Sequence, residues 1–533
     1  MRLKIRDIAM LVALCVVATA TAQPRLVVNI VVGGLRQSDL IRYEENFGKE
    51  GFARLRSEGL EFTECYADYA PTSSEAGLAT IATGTLPATH GIFSPIYYDR
   101  TTNNEVSWCG KPNSSQGKSL NKDVEEGYSA QTFMAQTLSE AVLAASSSNR
   151  VITVAHNPLS AMILAGGSGE CYWLNNRGKW TSAECYMKAL PSWVRACNSE
   201  DINRVFATDT WYGRYTRNRY INKTTKDILV YEQGSATHSS SRRKSSESWV
   251  GGLRTMPSGN IAIMEFAKRA VSSMLPLHTD NGCKILNICL DVPRNVAERY
   301  GADSIEYEDM LYSLDATLAE FLIFLYAQVT SRNDVVVTLT SDGGVSPTQS
   351  DNSDTSRFNT RQFEVIMNAF LSARYGQDSW VLGYKNGSLY LDHNVVYNHK
   401  KNLKEVQEEL AAFALQYRGV VAAVTATAMR SSQFSRGGVS LLQNGYNPRT
   451  SGDVLILLEP NRIEQDSKRV AMAGSVYNYD RHLPLIISGA GIAPQRVSKL
   501  VTNDQLAPTL AALIGVERPQ CSDAKVIEIN TNK

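Results

Sequence analysis

The chain has 533 residues, 43% of them hydrophobic and 20% charged, with a net charge of +1. So even a balance excludes a nucleic-acid-binding surface, an acidic tail and an intrinsically disordered chain. Length alone suggests about three domains, although a single large α/β domain with insertions fits as well.

Arg2, Lys4 and Arg6 form a basic start, "IAMLVALCVVA" a short apolar run, and "ATA" at 20–22 a small-residue cleavage site. That order predicts a signal peptide over 1–22 and a mature chain over 23–533, exported to the periplasm, secreted or associated with an outer membrane. The apolar run is too short for a membrane anchor, and Leu14 before Cys15 is too large for a lipoprotein site. No later segment reads as long and apolar enough to span a bilayer. Beyond Cys15 the cysteines at 65, 109, 171, 185, 197, 283, 289 and 521 match no zinc-knuckle spacing. With a core this large, any disulfide among them is supplementary.

Short apolar runs then alternate with helical patterns. "RLVVNIVV" (25–32), "RVITVA" (150–155), "KILNICL" (284–290), "DVVVTLT" (334–340) and "PLIISG" (484–489) read as buried parallel strands. Glu308–Gln328 reads as a helix, with apolar residues at Leu311, Leu314, Leu318, Phe321, Leu322 and Leu325. The alternation predicts an α/β fold: a doubly wound, mainly parallel sheet with helices on both faces. Two stretches break the rhythm and read as insertions. One, at 168–260, holds a hairpin, "CYWLNNRGKW", and a serine- and arginine-rich solvated loop, "SATHSSSRRKSSESW". The other, at 378–455, has a small α/β pattern with strands "SWVLGY" and "DVLILLE" and a helix, "LKEVQEELAAFALQY". There is no internal repeat.

Two segments carry chemistry. In "DYAPTSSEAGLATIATGTLPATHGI" (68–92), Thr72 and Glu75 match a capping box, which predicts a helix start at 72–75. A hydroxyl there lies at the positive end of the helix dipole, suited to a nucleophile beside a phosphate; the simpler reading is that Thr72, Ser73 and Ser74 only cap the helix. In "VVVTLTSDGGV" (335–345) a buried strand ends on Asp342 and two glycines. Ligands of open α/β sheets bind beyond such carboxyl ends, so Asp342 is either a ligand or a turn residue.

These two segments, with "PRLVVNIVVGGLR", "ERYGADSIEYEDMLYSLDATLAEFL" and "GSVYNYDRHLPLIISGAGI", resemble the alkaline phosphatase superfamily. The likeness runs from about 24 to about 515. It is greatest to the phosphate-irrepressible periplasmic alkaline phosphatases of bacteria, and more distant to nucleotide pyrophosphatases/phosphodiesterases. The resemblance implies a threonine nucleophile and two zinc ions on Asp and His side chains, which would clamp both oxygens of a phosphoryl transfer. Carried over position by position, the nucleophile is Ser74, and the metal ligands fall on Gly33, Arg294, Glu298, Asp342, Gly343 and Ala473. Only Asp342 is a family ligand type in place, with Glu298 a substitute for a histidine. The phosphate-clamping positions have become Pro95, Pro158 and Ser160. His482 has a structural context, His90 a turn context, and His393 and His399 no standard ligand spacing; His156, His238 and His278 are isolated.

The expectation is an exported, catalytically inactive relative, a pseudophosphatase with a binding or scaffold role in the cell envelope, without a cofactor. Its partner would be an unidentified protein or small molecule, not a nucleic acid. The alternative is an active phosphomonoesterase or phosphodiesterase using Ser74 and zinc; a third reading is a sugar- or nucleotide-binding protein reusing the old pocket. A dication's removal leaves a charge deficit beside Asp342, and Arg294 stands at a former ligand position. A direct Arg294–Asp342 ion pair is therefore expected as the structural replacement of the metal, with Glu298, four residues on, as the competing partner of Arg294.

Overall fold

The structure is a computed structural model. It describes residues 23–530 except 111–123, 131–132, 201–202, 204–205, 207–209, 223–237, 240–248, 279–281, 350–355 and 465–468. Residues 1–22, where a signal peptide is expected, and nearly all of the serine- and arginine-rich run lie outside the described residues.

The apolar runs build one ten-stranded sheet. Its order is Gln495–Val497, Gly59–Tyr66, His482–Gly489, Val335–Thr340, Leu26–Val32, Lys284–Leu290, Arg150–Ala155, Glu170–Leu174 and Trp180–Thr181, with Val501–Thr502 also on Gly59–Tyr66. All seven residues of Leu26–Val32 are buried. Alternate residues feed different cores: Leu26, Val28 and Ile30 pack on one face, Val27 and Val31 on the other. Burial on both faces is why this strand reads as a continuous apolar run.

Asn29 is the polar exception, and the register explains it. It lies opposite Asn287 and Thr338 on the neighbouring strands, and Asn287 lies opposite Thr153. Thr338 Oγ1 donates to Asn29 Oδ1 at 2.7 Å, Asn29 Nδ2 to Asn287 Oδ1 at 3.4 Å, and Asn287 Nδ2 to Thr153 Oγ1 at 3.1 Å. Each buried polar group thereby finds a partner across the sheet.

The sheet is mostly parallel with helices around it, as the alternation predicts, but three details differ. His482–Gly489, which contains "PLIISG", is antiparallel to both its neighbours. A buried apolar run looks the same in either direction; the connection decides the sense. Gly59–Tyr66, absent from the strands expected, lies between His482–Gly489 and Gln495–Val497. The 168–260 stretch is not wholly an insertion, because Glu170–Leu174 runs parallel to Arg150–Ala155 within the main sheet and turns back through Trp180–Thr181.

The second inserted unit is a four-stranded antiparallel sheet ordered Val381–Lys385, Ser388–Leu391, Val454–Leu458, Val420–Thr425. Its core takes Phe363, Met367 and Leu371 from helix Thr360–Tyr375, so the unit extends to the N-terminal side of 378. Asp453, 1% exposed, ties it to the main body. That carboxylate accepts from Arg100 Nη1, His393 Nε2, Gln407 Nε2 and the Leu391 amide, each at 2.9 Å.

One helix, Ile305–Gln328, does meet the length and hydropathy criteria for a membrane span, contrary to the sequence reading. Here it packs inside the fold and carries Glu306, Glu308, Asp309 and Asp315 buried. Such acidic residues suit a core helix whose carboxylates are hydrogen-bonded, as Asp315 is by the Phe52 and Gly48 amides at 2.7 and 2.6 Å. No two of the eight described cysteines are bonded.

Candidate functional site

Three strands of the main sheet end together: Leu26–Val32 at Gly33, Lys284–Leu290 at Asp291, and Val335–Thr340 just before Asp342. Helix Ser74–Thr83 points its N-terminus at the same place. Its cap is Ser73, whose Oγ accepts the Ala76 amide at 3.1 Å, rather than Thr72 with Glu75 as the spacing suggested. Thr72 instead donates to the Ser475 carbonyl at 2.9 Å. Ser74 is thus the first helical residue.

Asp342, 0% exposed, is the hub. Its Oδ2 accepts from Ser74 Oγ; its Oδ1 accepts from Arg294 Nη2 at 2.6 Å and from the Gly34 amide at 3.2 Å. The expected Arg294–Asp342 pair is therefore direct and almost entirely buried. The same guanidinium donates to the Gly343 and Gly344 carbonyls at 3.2 and 3.3 Å. Burial works against the Arg294 charge, and the adjoining Asp342 carboxylate outweighs it, holding the proton more firmly than usual.

The glycines make the room. A Cβ at Gly33 would lie 3.3 Å from Arg294 Cβ, and one at Gly34, at φ +76°, 3.0 Å from Arg294 Cα. A Cβ at Gly343 would lie 3.4 Å from Arg294 Nη2. A ligand side chain at Gly33 or Gly343 and a guanidinium at Arg294 therefore compete for the same space.

Glu298 is not the competitor expected for Arg294. Arg294 lies in the first turn of helix Val292–Tyr300 and reaches back to the strand ends; Glu298, a turn later, pairs with Arg469 Nε at 3.3 Å. Burial raises the Glu298 carboxyl, while Arg469 and then Arg294 lower it.

Two neighbours escaped the sequence reading as site residues. Asp291 accepts from Ser160 Oγ at 3.1 Å, Cys289 Sγ at 3.1 Å and the Asn157 amide at 3.3 Å. Burial raises its carboxyl. Its signal was available, since it directly follows a buried strand, and Asp342 follows the end of another with one residue between. His156, 1% exposed, pairs Nε2 with the Gly259 carbonyl at 2.9 Å, and Nδ1 has no partner. Burial lowers its pKa to about 4, so near neutral pH the imidazole is uncharged, with Nε2 the donor and Nδ1 an acceptor.

The other histidines whose side chains are described are accounted for elsewhere. His90 pairs with Thr80 Oγ1 at 3.1 Å and accepts the Ile92 amide at 3.1 Å; His482 stacks on Tyr66 and reaches the Thr63 carbonyl at 2.7 Å. His399 pairs with Asp378 and His278 with Asp334.

The cleft above Asp342 encloses about 440 Å³ and is walled partly by the inserted unit, through Lys385 and Asn386. Pro95, Ser160 and Ala473 line it too. A zinc site needs about three or four N, S or O ligands. This donor set does not fit one: Asp342 is engaged by Arg294, Glu298 by Arg469, and no described group of three His, Cys, Asp or Glu converges.

A helix-start serine beside a strand-end carboxylate, on a mostly parallel sheet partly roofed by an inserted unit, is the scaffold of the alkaline phosphatase superfamily. The chain matches the Type I phosphodiesterase / nucleotide pyrophosphatase family over residues 27–463, and it belongs to that family. Alkaline phosphatase PafA of Elizabethkingia meningoseptica is 26% identical over 521 residues, covering 95% of this chain and 94% of its own. A Myroides odoratus protein named calcium-transporting ATPase is 26% identical over 515 residues, 93% of each chain. The crystal structure of wild-type PafA has the same fold, with a TM-score of 0.84 at 24% identity over 96% of this chain and 99% of that one.

Proposed function

We propose that this protein is a metal-independent, non-hydrolytic member of its family, exported and acting as a binding or scaffold protein in the cell envelope. The observation that carries this reading is the Arg294 guanidinium bonded to Asp342 at 2.6 Å where the family resemblance implies a metal ligand. A fixed organic cation balances the carboxylate but offers no open coordination position to activate a water or polarise a phosphoryl oxygen. Ser74 Oγ donates its hydrogen bond to that same carboxylate, so the remnant nucleophile belongs to a structural network. Export rests on the basic, apolar and small-residue order of 1–22.

The test is zinc analysis of the purified mature protein beside phosphomonoester and phosphodiester hydrolysis with added zinc. The expected result is less than stoichiometric zinc and no turnover above background. Two zinc ions per chain, or a turnover abolished by Ser74→Ala, would establish instead the active hydrolase suggested by the relatives' names.

A further inference from the structure

The cleft's charges are almost all committed. Arg294 is bound to Asp342, Arg469 to Glu298, and Lys385 to Glu105 at 2.7 Å. Arg254 is different. It lines the same cleft, and among the described residues its side chain has no ion pair or hydrogen bond; its Nε is buried without a partner. A guanidinium in a concave site with no internal anion is suited to one from a ligand.

The floor of the cleft has the opposite character. Glu75 and Asp291 line it, Asp342 lies just behind, and Arg294 is the cation among them. Burial pushes the Glu75 and Asp291 carboxyls up, and Asp342 adds to both shifts. A second concentrated negative charge, such as a phosphate dianion, would be repelled there without a dication to bridge it. Hydroxyl groups would not be, because carboxylates and the His156 Nδ1 accept hydrogen bonds. The volume, about 440 Å³, falls within the range for small-molecule pockets.

We propose that the cleft binds a sugar acid, a polyhydroxyl ligand carrying one carboxylate. Arg254 holds the carboxylate, and Glu75, Asp291 and His156 accept hydroxyls. The inference rests on the metal-free reading of the site. It also rejects the nucleotides and inorganic phosphate that a working phosphoesterase pocket would favour. A free sugar acid and an acidic residue within a glycan share this chemistry.

The test is calorimetric and thermal-shift titration of the full mature protein with D-glucuronate, a glucuronate-containing disaccharide, D-glucose, inorganic phosphate and AMP. Binding of D-glucuronate or the disaccharide is expected, raising the melting temperature with concentration; the tighter of the two identifies the source. D-Glucose should bind more weakly, and phosphate and AMP should give no shift. Arg254→Gln should weaken glucuronate binding about ten- to a hundred-fold, the loss of one charge-assisted contact. Its unliganded melting temperature should match the parent, since the side chain makes no hydrogen bond or ion pair among the described residues. Stabilisation by phosphate or AMP as strong as by glucuronate, glucuronate affinity unchanged in Arg254→Gln, or no binding of either acid would overturn the proposal. Zinc and hydrolysis are measured on the same preparation. An inert, zinc-free protein that ignores both acids refutes the ligand class alone, and a zinc-dependent hydrolase refutes the metal-free reading.

Discussion

Gly77 touches the backbone of Asp342. A Cβ at 77 would lie 1.6 Å from the Asp342 carbonyl oxygen and 2.4 Å from its carbon. The helix that carries Ser74 and the strand end that carries Asp342 meet at this point, so the glycine sets how closely serine and carboxylate approach. Gly77→Ala should destabilise the protein by about 3 kcal/mol or more, because the obstacle is main chain and cannot swing aside. Urea unfolding measures this; a loss under about 1 kcal/mol would show that helix and strand separate easily.

Removing one partner of the central pair should be far worse than removing both. Asp342→Ala leaves the Arg294 guanidinium buried without its carboxylate, at a cost of about 3–5 kcal/mol. An Arg294→Met, Asp342→Leu double variant removes both charges and should recover a large part of that loss. A double-mutant cycle on unfolding free energies gives the coupling, expected at about 1–3 kcal/mol. Additive single losses would mean that the two side chains do not depend on each other.

Asp480 gives the site a pH signature. It is fully buried, its Oδ2 accepts the Ser475 amide at 2.7 Å, and burial raises its pKa from 3.8 to about 6 against the lowering by Ser475 and Arg294. Below pH 4 folded and unfolded chains both hold the proton. Between about pH 4 and 6 the unfolded chain gives it up first, so this group's contribution to stability falls as pH rises, and it levels off above 6. Relative to the parent, Asp480→Asn should therefore gain stability from pH 4 to pH 7, by up to about 3 kcal/mol. Chemical denaturation at those two pH values provides the comparison; a pH-independent difference would place the titration elsewhere.

Chelation should change nothing. If Arg294 supplies the positive charge at Asp342, dialysis against EDTA should leave the melting temperature within about 1 °C of the untreated protein. Added zinc should not raise it, because a ligand stabilises only by binding the folded state. A rise that saturates with zinc would reveal a metal site that this donor set does not provide.

How much of this was legible beforehand differs from residue to residue. Leu26–Val32 and Val335–Thr340 were readable because strands covered on both faces are apolar at every position. The site's place beyond their ends followed from the architecture. Ser74, Asp342 and Arg294 were all named, and even the ion pair was expected, because a carboxylate buried at a strand end needs a positive charge beside it, and Arg294 stood at a neighbouring strand end. Gly59–Tyr66 was missed, with an "EFTE" segment too polar to stand out as a buried run.

What residue type and local order determined was burial and charge. What only the tertiary structure decided was direction and convergence. His482–Gly489 runs antiparallel to both its neighbours, and nothing in the strand itself records that direction. Glu298 goes to Arg469, and Arg254, His156 and Asp291 meet at one cleft although scores of residues separate them in sequence. Ion pairs and pockets depend on distances in space, and a chain pattern encodes those only after packing has fixed which segments are neighbours.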